Sequence, residues 1–177
     1  MIIREQILGS MAMAGRVRRY HTWPVIHQQS VAEHSWRVAT IHGEVFGPPL
    51  YVTLLYMLFH DVGELSSGDV PFLAKDAVPG YREAARAAEA MGRCTLGVAL
   101  DDGDLSEGER VRVKACDLLE MWEFGLIERR MGNEFAEPVI TDTLRQLDKH
   151  LETWPELRQR ALKWVRDHRL NNDPKGD

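Results

Sequence analysis

His60 and Asp61 are adjacent at the end of the mostly apolar segment 50–59, and Glu64 follows three residues later. Imidazole nitrogens and carboxylate oxygens are common ligands of divalent transition metals. Because neighbouring side chains of a helix point about 100° apart, His60 and Asp61 can share one ion only where a helix ends against a cavity. The nearby Gly63 is consistent with such an end. The pair is also compatible with a histidine bonded to a backbone carbonyl and an aspartate that caps the helix, so both interpretations stay open.

Two further candidate ligands lie far away in sequence. His34 belongs to the first turns of a predicted helix, where a lone histidine is usually a core or surface residue. Asp117 is flanked by apolar residues at 115–119, and a buried carboxylate needs a cation or a metal as partner. Lys114, one turn earlier, could be that partner. Together with His60 and Asp61, these residues would form a mixed nitrogen and oxygen site with open positions, as a metal-dependent hydrolase requires.

Composition limits the classes of function. The chain has 177 residues, 44% of them hydrophobic, and a formal net charge of −5, which predicts one compact domain over residues 1–177 and disfavours a nucleic-acid partner. Cys94 and Cys116 lack the spacing of a thiolate metal site or a disulfide framework. No segment is apolar for long enough to span a membrane, and the N-terminus lacks the apolar part of a signal peptide. We therefore expect a cytoplasmic protein with no membrane partner.

Hydrophobic periodicity and capping residues predict an all-α fold. A motif-bearing core at about 15–120 is expected to precede C-terminal helices at about 134–170 and a polar tail at 171–177 that frays. The turn-rich but partly apolar segment 66–80 is predicted to be an active-site loop packed on the core. The predicted helices lie near 3–17, from Ser30 to Gly47, near 50–61, 81–100, 106–132, 134–152 and 156–170.

An acidic stretch with Asp101, Asp102, Asp104 and Glu107 could suggest a calcium loop. The stretch lacks the alternating ligands and the bidentate glutamate of an EF-hand, which favours a solvated break between two helices.

Over about residues 15–120 the order and spacing of these residues resemble the HD-domain phosphohydrolases. Within that family the chain is most similar to bacterial 5'-deoxynucleotidases of the YfbR type and phage dATP triphosphohydrolases of the DatZ type. The segments that carry the resemblance are Ala32-Glu33-His34-Ser35, His60-Asp61 with Glu64, Gly68-Asp69-Val70-Pro71, and Asp117. The resemblance implies a compact single-domain HD-type helical bundle.

The resemblance also implies a role for each matching residue. The metal ligands would be His34, His60, Asp61 and Asp117, and the metal a divalent transition ion, with Zn, Co or Mn expected and further divalent ions accompanying the substrate phosphates. Glu64 and Asp69 would be the catalytic carboxylates, and which of them acts as acid or base stays open. Arg19, Lys75 and Lys114 would contact phosphate, while Tyr20 replaces the usual tryptophan against the deoxyribose. Thr22 and Trp23 would line the base pocket.

The activity implied is hydrolysis of a small-molecule 2'-deoxynucleotide at its α-phosphorus. The favoured enzyme is a dATP triphosphohydrolase that releases deoxyadenosine and triphosphate and also acts on dADP and dAMP. The features that favour it are the short chain and the residues Lys75, Lys114, Trp23 and Ile26. The alternative is a broad 5'-deoxynucleotidase acting on dNMPs. Hydrolysis of cyclic or signalling nucleotides, or a non-catalytic helical module with a structural metal, are further alternatives. Relatives form homo-oligomers, so a dimer or a hexamer is expected by resemblance.

Overall fold

The structure, a computed structural model, describes residues 11–71 and 77–172, with the backbone alone at 169–172. Within those residues the chain forms helices and turns, with a single isolated antiparallel bridge between Arg18 and Ser30 and no strand. The predicted all-α fold is therefore confirmed. The helices are α1 Met11–Ala14, α2 Val31–Phe46, α3 Tyr51–Phe59, α4 Glu64–Ser67, α5 Tyr81–Thr95, α6 Glu107–Arg130, α7 Glu137–His150 and α8 Pro155–Asn172.

Capping boxes fix the beginnings of α2 and α6. The Ser30 side chain accepts from the Glu33 backbone N–H while Glu33 bonds back to the backbone of Ser30, and Ser106 and Glu109 repeat the arrangement. Glu109 also accepts a hydrogen bond from the Thr53 hydroxyl at 2.6 Å. This bond ties α3 to the first turn of α6.

Helix α6 lies in the centre of the molecule and packs against α2 and α7. Its residues Leu119 and Trp122 are fully buried, beside Val38 of α2 and Leu147 of α7. Because apolar side chains of several helices enclose α6, polar groups in its middle are held in defined positions.

Several boundaries differ from the predicted ones. The helix predicted to reach Asp61 ends at Phe59, and a tight turn follows in which Glu64 N–H donates to Asp61 O at 3.0 Å. The helix predicted over 81–100 ends at Thr95, because Gly97 adopts a left-handed φ of 75°. The predicted loop over 66–80 begins within α4, and its residues 72–76 lie outside the described residues, as do residues 1–10 of the first predicted helix and residues 173–177 of the predicted tail.

Two glycines let α5 approach the turn after α3. A Cβ added to Gly63 would lie 2.1 Å from the Glu89 carbonyl oxygen, and one added to Gly92 would lie 2.5 Å from the Gly63 carbonyl oxygen. Such distances are far inside van der Waals contact, so the two backbones touch directly. The contact fixes the position of the segment that carries His60 and Asp61.

None of the described helices is both long enough and apolar enough to cross a membrane.

Candidate metal site

His34, His60 and Asp117 each direct one ligand atom into a common space, with these atoms all within 4.8 Å of one another. The three residues come from α2, from the turn after α3 and from α6. A group of two imidazoles and a carboxylate at this separation can close around a single transition-metal ion. The structure thus brings together residues separated by more than eighty positions of sequence.

Hydrogen bonds to the far side of each ring orient the two imidazoles. His34 Nδ1 lies 2.7 Å from a Glu120 carboxylate oxygen, and His60 Nδ1 lies 2.8 Å from the Met57 carbonyl oxygen. Since both partners are acceptors, each Nδ1 must carry the hydrogen, which leaves Nε2 with a lone pair in the neutral ring. His34 Nε2 is buried and has no hydrogen-bond partner. This orphaned atom fits a metal ligand.

Asp61 lies at the edge of the same group. One of its carboxylate oxygens is 3.3 Å from His60 Nε2, and the other is 3.5 Å from His34 Nε2. Arg19 donates from Nη1 to Asp61 at 2.8 Å, and this guanidinium is itself buried. Asp61 therefore has two kinds of partner at once, the imidazoles and a guanidinium.

Asp117 also has a cationic partner. Lys114 Nζ donates to Asp117 Oδ2 at 2.5 Å, while Asp117 Oδ1 is 3.4 Å from His34 Nε2. The partner that the sequence offered as an alternative to a metal is thus present, and the second carboxylate oxygen still faces the imidazole. The Lys114 side chain is 53% exposed, so it can also reach solvent-borne anions.

The charges at the site compensate one another. Burial raises the pKa of Asp117, but Lys114 and His34 outweigh burial and hold it well below its ordinary value. Burial also raises the pKa of Asp61, but His60, His34 and Arg19 overcome burial and lower it. Burial and Arg19 lower the pKa of His34, yet Glu120 and Asp117 raise it to about 9. A cation entering this site therefore competes with a proton at His34 Nε2.

Glu64 is a buried carboxyl group beside this site. It is 4% exposed, and its Oε2 has no hydrogen-bond partner. Burial and the neighbouring charge of Asp61 raise its pKa to about 8, although Arg19 acts in the opposite direction. A carboxyl group with this pKa can donate or accept a proton near neutral pH.

Asp69 is held by the backbone of Tyr20. Its carboxylate accepts the Tyr20 N–H at 2.9 Å, and Tyr20 has a left-handed φ of 56°. The Tyr20 ring stacks on Phe124, with centroids 4.5 Å apart and planes 8° from parallel. The ring predicted to face a sugar therefore has a protein partner.

Residues 18–30, which we call the substrate loop, are closed at the base and fastened at the tip. At the base, Arg19 N–H donates to Gln29 O at 2.9 Å. At the tip, the buried carboxylate of Glu128 accepts the N–H groups of Ile26 and His27, each at 2.7 Å. Within the loop Thr22 is exposed, while Trp23 is half-buried, with an indole nitrogen that is buried and lacks a hydrogen-bond partner.

Sequence reasoning missed three residues that shape this region. Glu120 follows Asp117 by one helical turn and is flanked by apolar residues, so the argument used for Asp117 would have identified it. Phe124 and Glu128 lie further along α6 among mixed neighbours and gave no local signal. Lys75, a predicted phosphate contact, lies outside the described residues.

Part of the chain matches a known family, and its fold is similar to that of a known structure. Residues 16–97 match the model of the HD domain family, a segment that includes His34, His60 and Asp61 and ends before α6. The fold is similar to that of the cyanophage S-2L HD phosphohydrolase DatZ, solved with dA and one catalytic Zn²⁺ ion. The match has a TM-score of 0.71 and 20% sequence identity, and covers 89% of this chain and 92% of that one. No curated protein matches the chain. The predicted HD-type helical fold is thereby confirmed, and His34, His60 and Asp117 form a group that could hold the predicted divalent metal.

Proposed function

We propose that this chain, whose residues 16–97 match the HD domain family and whose fold is similar to that of an HD phosphohydrolase, is a metal-dependent enzyme that hydrolyses 2'-deoxynucleotides. The observation that carries the proposal is the buried, unpartnered Nε2 of His34, aimed at His60 and Asp117 beside a carboxyl group that can exchange protons. A structural ion gives no reason for a buried carboxyl group whose Oε2 has no hydrogen-bond partner, whereas a hydrolytic site can use such a group to transfer a proton.

The ligands we assign are His34, His60, Asp61 and Asp117. A divalent ion held there would neutralise phosphoryl charge and lower the pKa of a bound water. The protein contributes the orientation of both imidazoles through Glu120 and Met57. Zn, Co or Mn suits this donor set.

Proton transfer is assigned to Glu64 and Asp69. Glu64, with its pKa raised to about 8, can take a proton from an attacking water or give one to the leaving 5'-oxygen. Asp69 faces the backbone of the substrate loop, where a bound nucleotide would lie. We propose that the two carboxyl groups divide the acid and base steps.

Positive charge for the phosphates comes from Arg19 and Lys114, with Lys75 as a third candidate. Arg19 and Lys114 already form ion pairs with carboxylates of the site, Arg19 with Asp61 and Lys114 with Asp117. We propose that the half-exposed Lys114 turns from Asp117 to a phosphate oxygen. Arg19 is too deeply buried to leave Asp61, and it would present its remaining N–H groups instead.

The substrate we propose is dATP, cleaved to deoxyadenosine and triphosphate, with dADP and dAMP as further substrates. We propose that Thr22, Trp23 and Ile26 line the base pocket, and the proposal of an adenine base is supported by DatZ, a protein of similar fold that was solved with dA. The stacking of Tyr20 on Phe124 would present one edge of the tyrosine to the deoxyribose. The second candidate is a 5'-deoxynucleotidase that accepts dNMPs without preference for the base.

A nucleotide panel tests the proposal. The purified chain, stripped of metal and reloaded with Zn, Co or Mn, is incubated with dATP, dAMP, the other dNTPs and dNMPs, ATP and a cyclic nucleotide, and nucleoside release is measured. We expect release of deoxyadenosine from dATP and a smaller release of adenosine from ATP. Release from dNMPs but not from dNTPs would favour the second candidate. No release from any deoxynucleotide with any metal would refute both.

Assembly is a separate proposal. We propose a homo-oligomer, a dimer or a hexamer, and sedimentation of the metal-loaded chain would measure its mass.

A further inference from the structure

We propose that Glu120 is a positioning residue for the metal site, which holds the His34 ring with Nε2 toward the ion and joins that ligand to the substrate loop. This inference rests on the proposed metal-dependent function. Glu120 belongs neither to the ligand set nor to the acid and base pair described above. Its effect would be exerted entirely through His34 and Gln29.

The geometry of Glu120 is that of a hub. The residue lies on α6 one turn after Asp117 and is fully buried. One carboxylate oxygen accepts from His34 Nδ1 at 2.7 Å. The other accepts from Gln29 Nε2 at 2.6 Å and from Arg37 Nε at 3.1 Å. Three segments of the chain therefore meet at this one side chain.

All three partners of Glu120 act as donors, so the position requires two acceptor atoms. A carboxylate offers two acceptor oxygens, whereas the amide of a glutamine offers one oxygen and one NH₂ group. If a glutamine turned its oxygen to Gln29 and Arg37, its NH₂ group would face His34 Nδ1. That arrangement favours the tautomer with hydrogen on Nε2, in which the ring cannot bind a metal through Nε2.

Arg37 makes the burial of this charge tolerable. A buried carboxylate is costly unless it is paired and hydrogen-bonded, and the guanidinium of Arg37 supplies both at Glu120. Arg37 is held in turn by Glu123, which accepts from Nη2 at 2.6 Å. Glu123 thus supports the same network and has no direct bond to His34, which makes it a matched control.

Gln29 extends the network to the substrate loop. Its side chain donates to Glu120, and its backbone carbonyl accepts the N–H of Arg19 at 2.9 Å. Arg19 in turn bonds Asp61, so the Glu120 carboxylate and the Arg19 guanidinium approach the candidate ligands from two directions. A change at Glu120 should therefore alter both the metal site and the base of the substrate loop.

The test compares Glu120→Gln with Glu123→Gln, two isosteric changes on the same helix. Zinc affinity of each metal-stripped chain is measured by competition with a chromophoric chelator, with no nucleotide present. We expect Glu120→Gln to weaken zinc binding by about 10–100-fold, the usual effect of losing a hydrogen-bond partner of a ligating histidine. Glu123→Gln should bind zinc as the wild type does. Wild-type affinity in Glu120→Gln would overturn the inference.

A second measurement uses the unaltered protein, in case Glu120→Gln fails to fold. In a long-range ¹H–¹⁵N spectrum of the zinc-loaded wild type, His34 should show a protonated Nδ1 and a zinc-shifted Nε2. Zinc on Nδ1 would overturn the inference. Because neither experiment includes a nucleotide, a chain that passes both and hydrolyses no deoxynucleotide would lose its proposed function and keep this positioning residue.

Discussion

The metal site and the substrate loop face each other but are built in different ways. The candidate ligands His34 and Asp117 project from long helices whose other faces are buried in the core. The loop over residues 18–30 has no regular structure beyond one bridge. Carboxylates hold it instead, those of Asp69, Glu128 and Asp61 among them.

The candidate metal site and the loop are therefore held in place by different kinds of interaction. The helices that carry the candidate ligands His34 and Asp117 are positioned by apolar packing, which is insensitive to most single charges, while hydrogen bonds set the orientation of the imidazole rings. The loop is positioned by charge-assisted hydrogen bonds, each of which depends on one ionised carboxylate. We therefore expect packing changes to disturb the metal and charge changes to disturb the loop, apart from charge changes at the ligands or their direct partners.

Asp61→Ala should give the largest effect, because it removes a proposed ligand and leaves the buried Arg19 unpaired. We expect zinc affinity to fall by more than about 100-fold, beyond the usual range for an indirect partner of a metal, and turnover to be lost with it. Metal content after dialysis and nucleoside release would measure both. Asp142→Ala, which removes an exposed carboxylate bonded to Arg145, is the control. Retained activity with normal metal content would refute the site.

Gly63→Ala should separate packing from charge, since it adds a methyl group and no polar atom. The new Cβ would meet the backbone carbonyl of Glu89, so α5 or the turn after α3 must move. We expect a loss of about 3 kcal/mol in the free energy of unfolding, the upper end for overpacking, and weaker zinc binding. Denaturant unfolding measures the first effect and chelator competition the second.

Gly43→Ala is the control for that variant. Gly43 lies on α2, and a Cβ added there would meet no atom within 4 Å. It should be neutral or slightly stabilising. If Gly63→Ala behaves in the same way, the direct backbone contact between α5 and the turn does not position the metal ligands.

Glu128→Gln should give the smallest effect and act on the loop. The amide keeps one acceptor oxygen for the donor groups of Ile26, His27 and Asn133. We therefore expect the free energy of unfolding, measured with denaturant, to fall by about 1–2 kcal/mol. KM for the deoxynucleotide should rise while zinc affinity stays constant. An unchanged KM would show that substrate binding does not depend on the position of the loop tip.

The stability difference at Glu128 should also depend on pH. Burial raises the pKa of Glu128, but the bonds from Asn133, Ile26 and His27 lower it below its ordinary value of 4.5. A group with a lowered pKa in the folded state stabilises the fold above its ordinary pKa and loses that contribution as the pH falls through the folded value. The gap between wild type and Glu128→Gln should therefore be full at neutral pH and shrink below pH 4.5.

The sequence could predict what is local. Ser30 and Ser106 mark the beginnings of α2 and α6, because a capping box involves residues three apart. It could also indicate that an aspartate among apolar neighbours at 117 needs a partner. It could not reveal that Glu128 holds Ile26, since 102 positions separate them and each has an ordinary local setting. Nor could it decide that Lys114 lies on Asp117, because the same lysine suits a phosphate.

The backbone of Tyr20 has a consequence for how the two halves communicate. Tyr20 has a left-handed backbone conformation, and the two consecutive residues bond different acids, since the Arg19 side chain donates to Asp61 and the Tyr20 N–H donates to Asp69. Asp61 and Asp69 bracket the segment that includes Glu64. The loop is therefore bonded to both ends of that segment. A displacement of Arg19 or Tyr20 would act on a proposed metal ligand and a proposed proton carrier together.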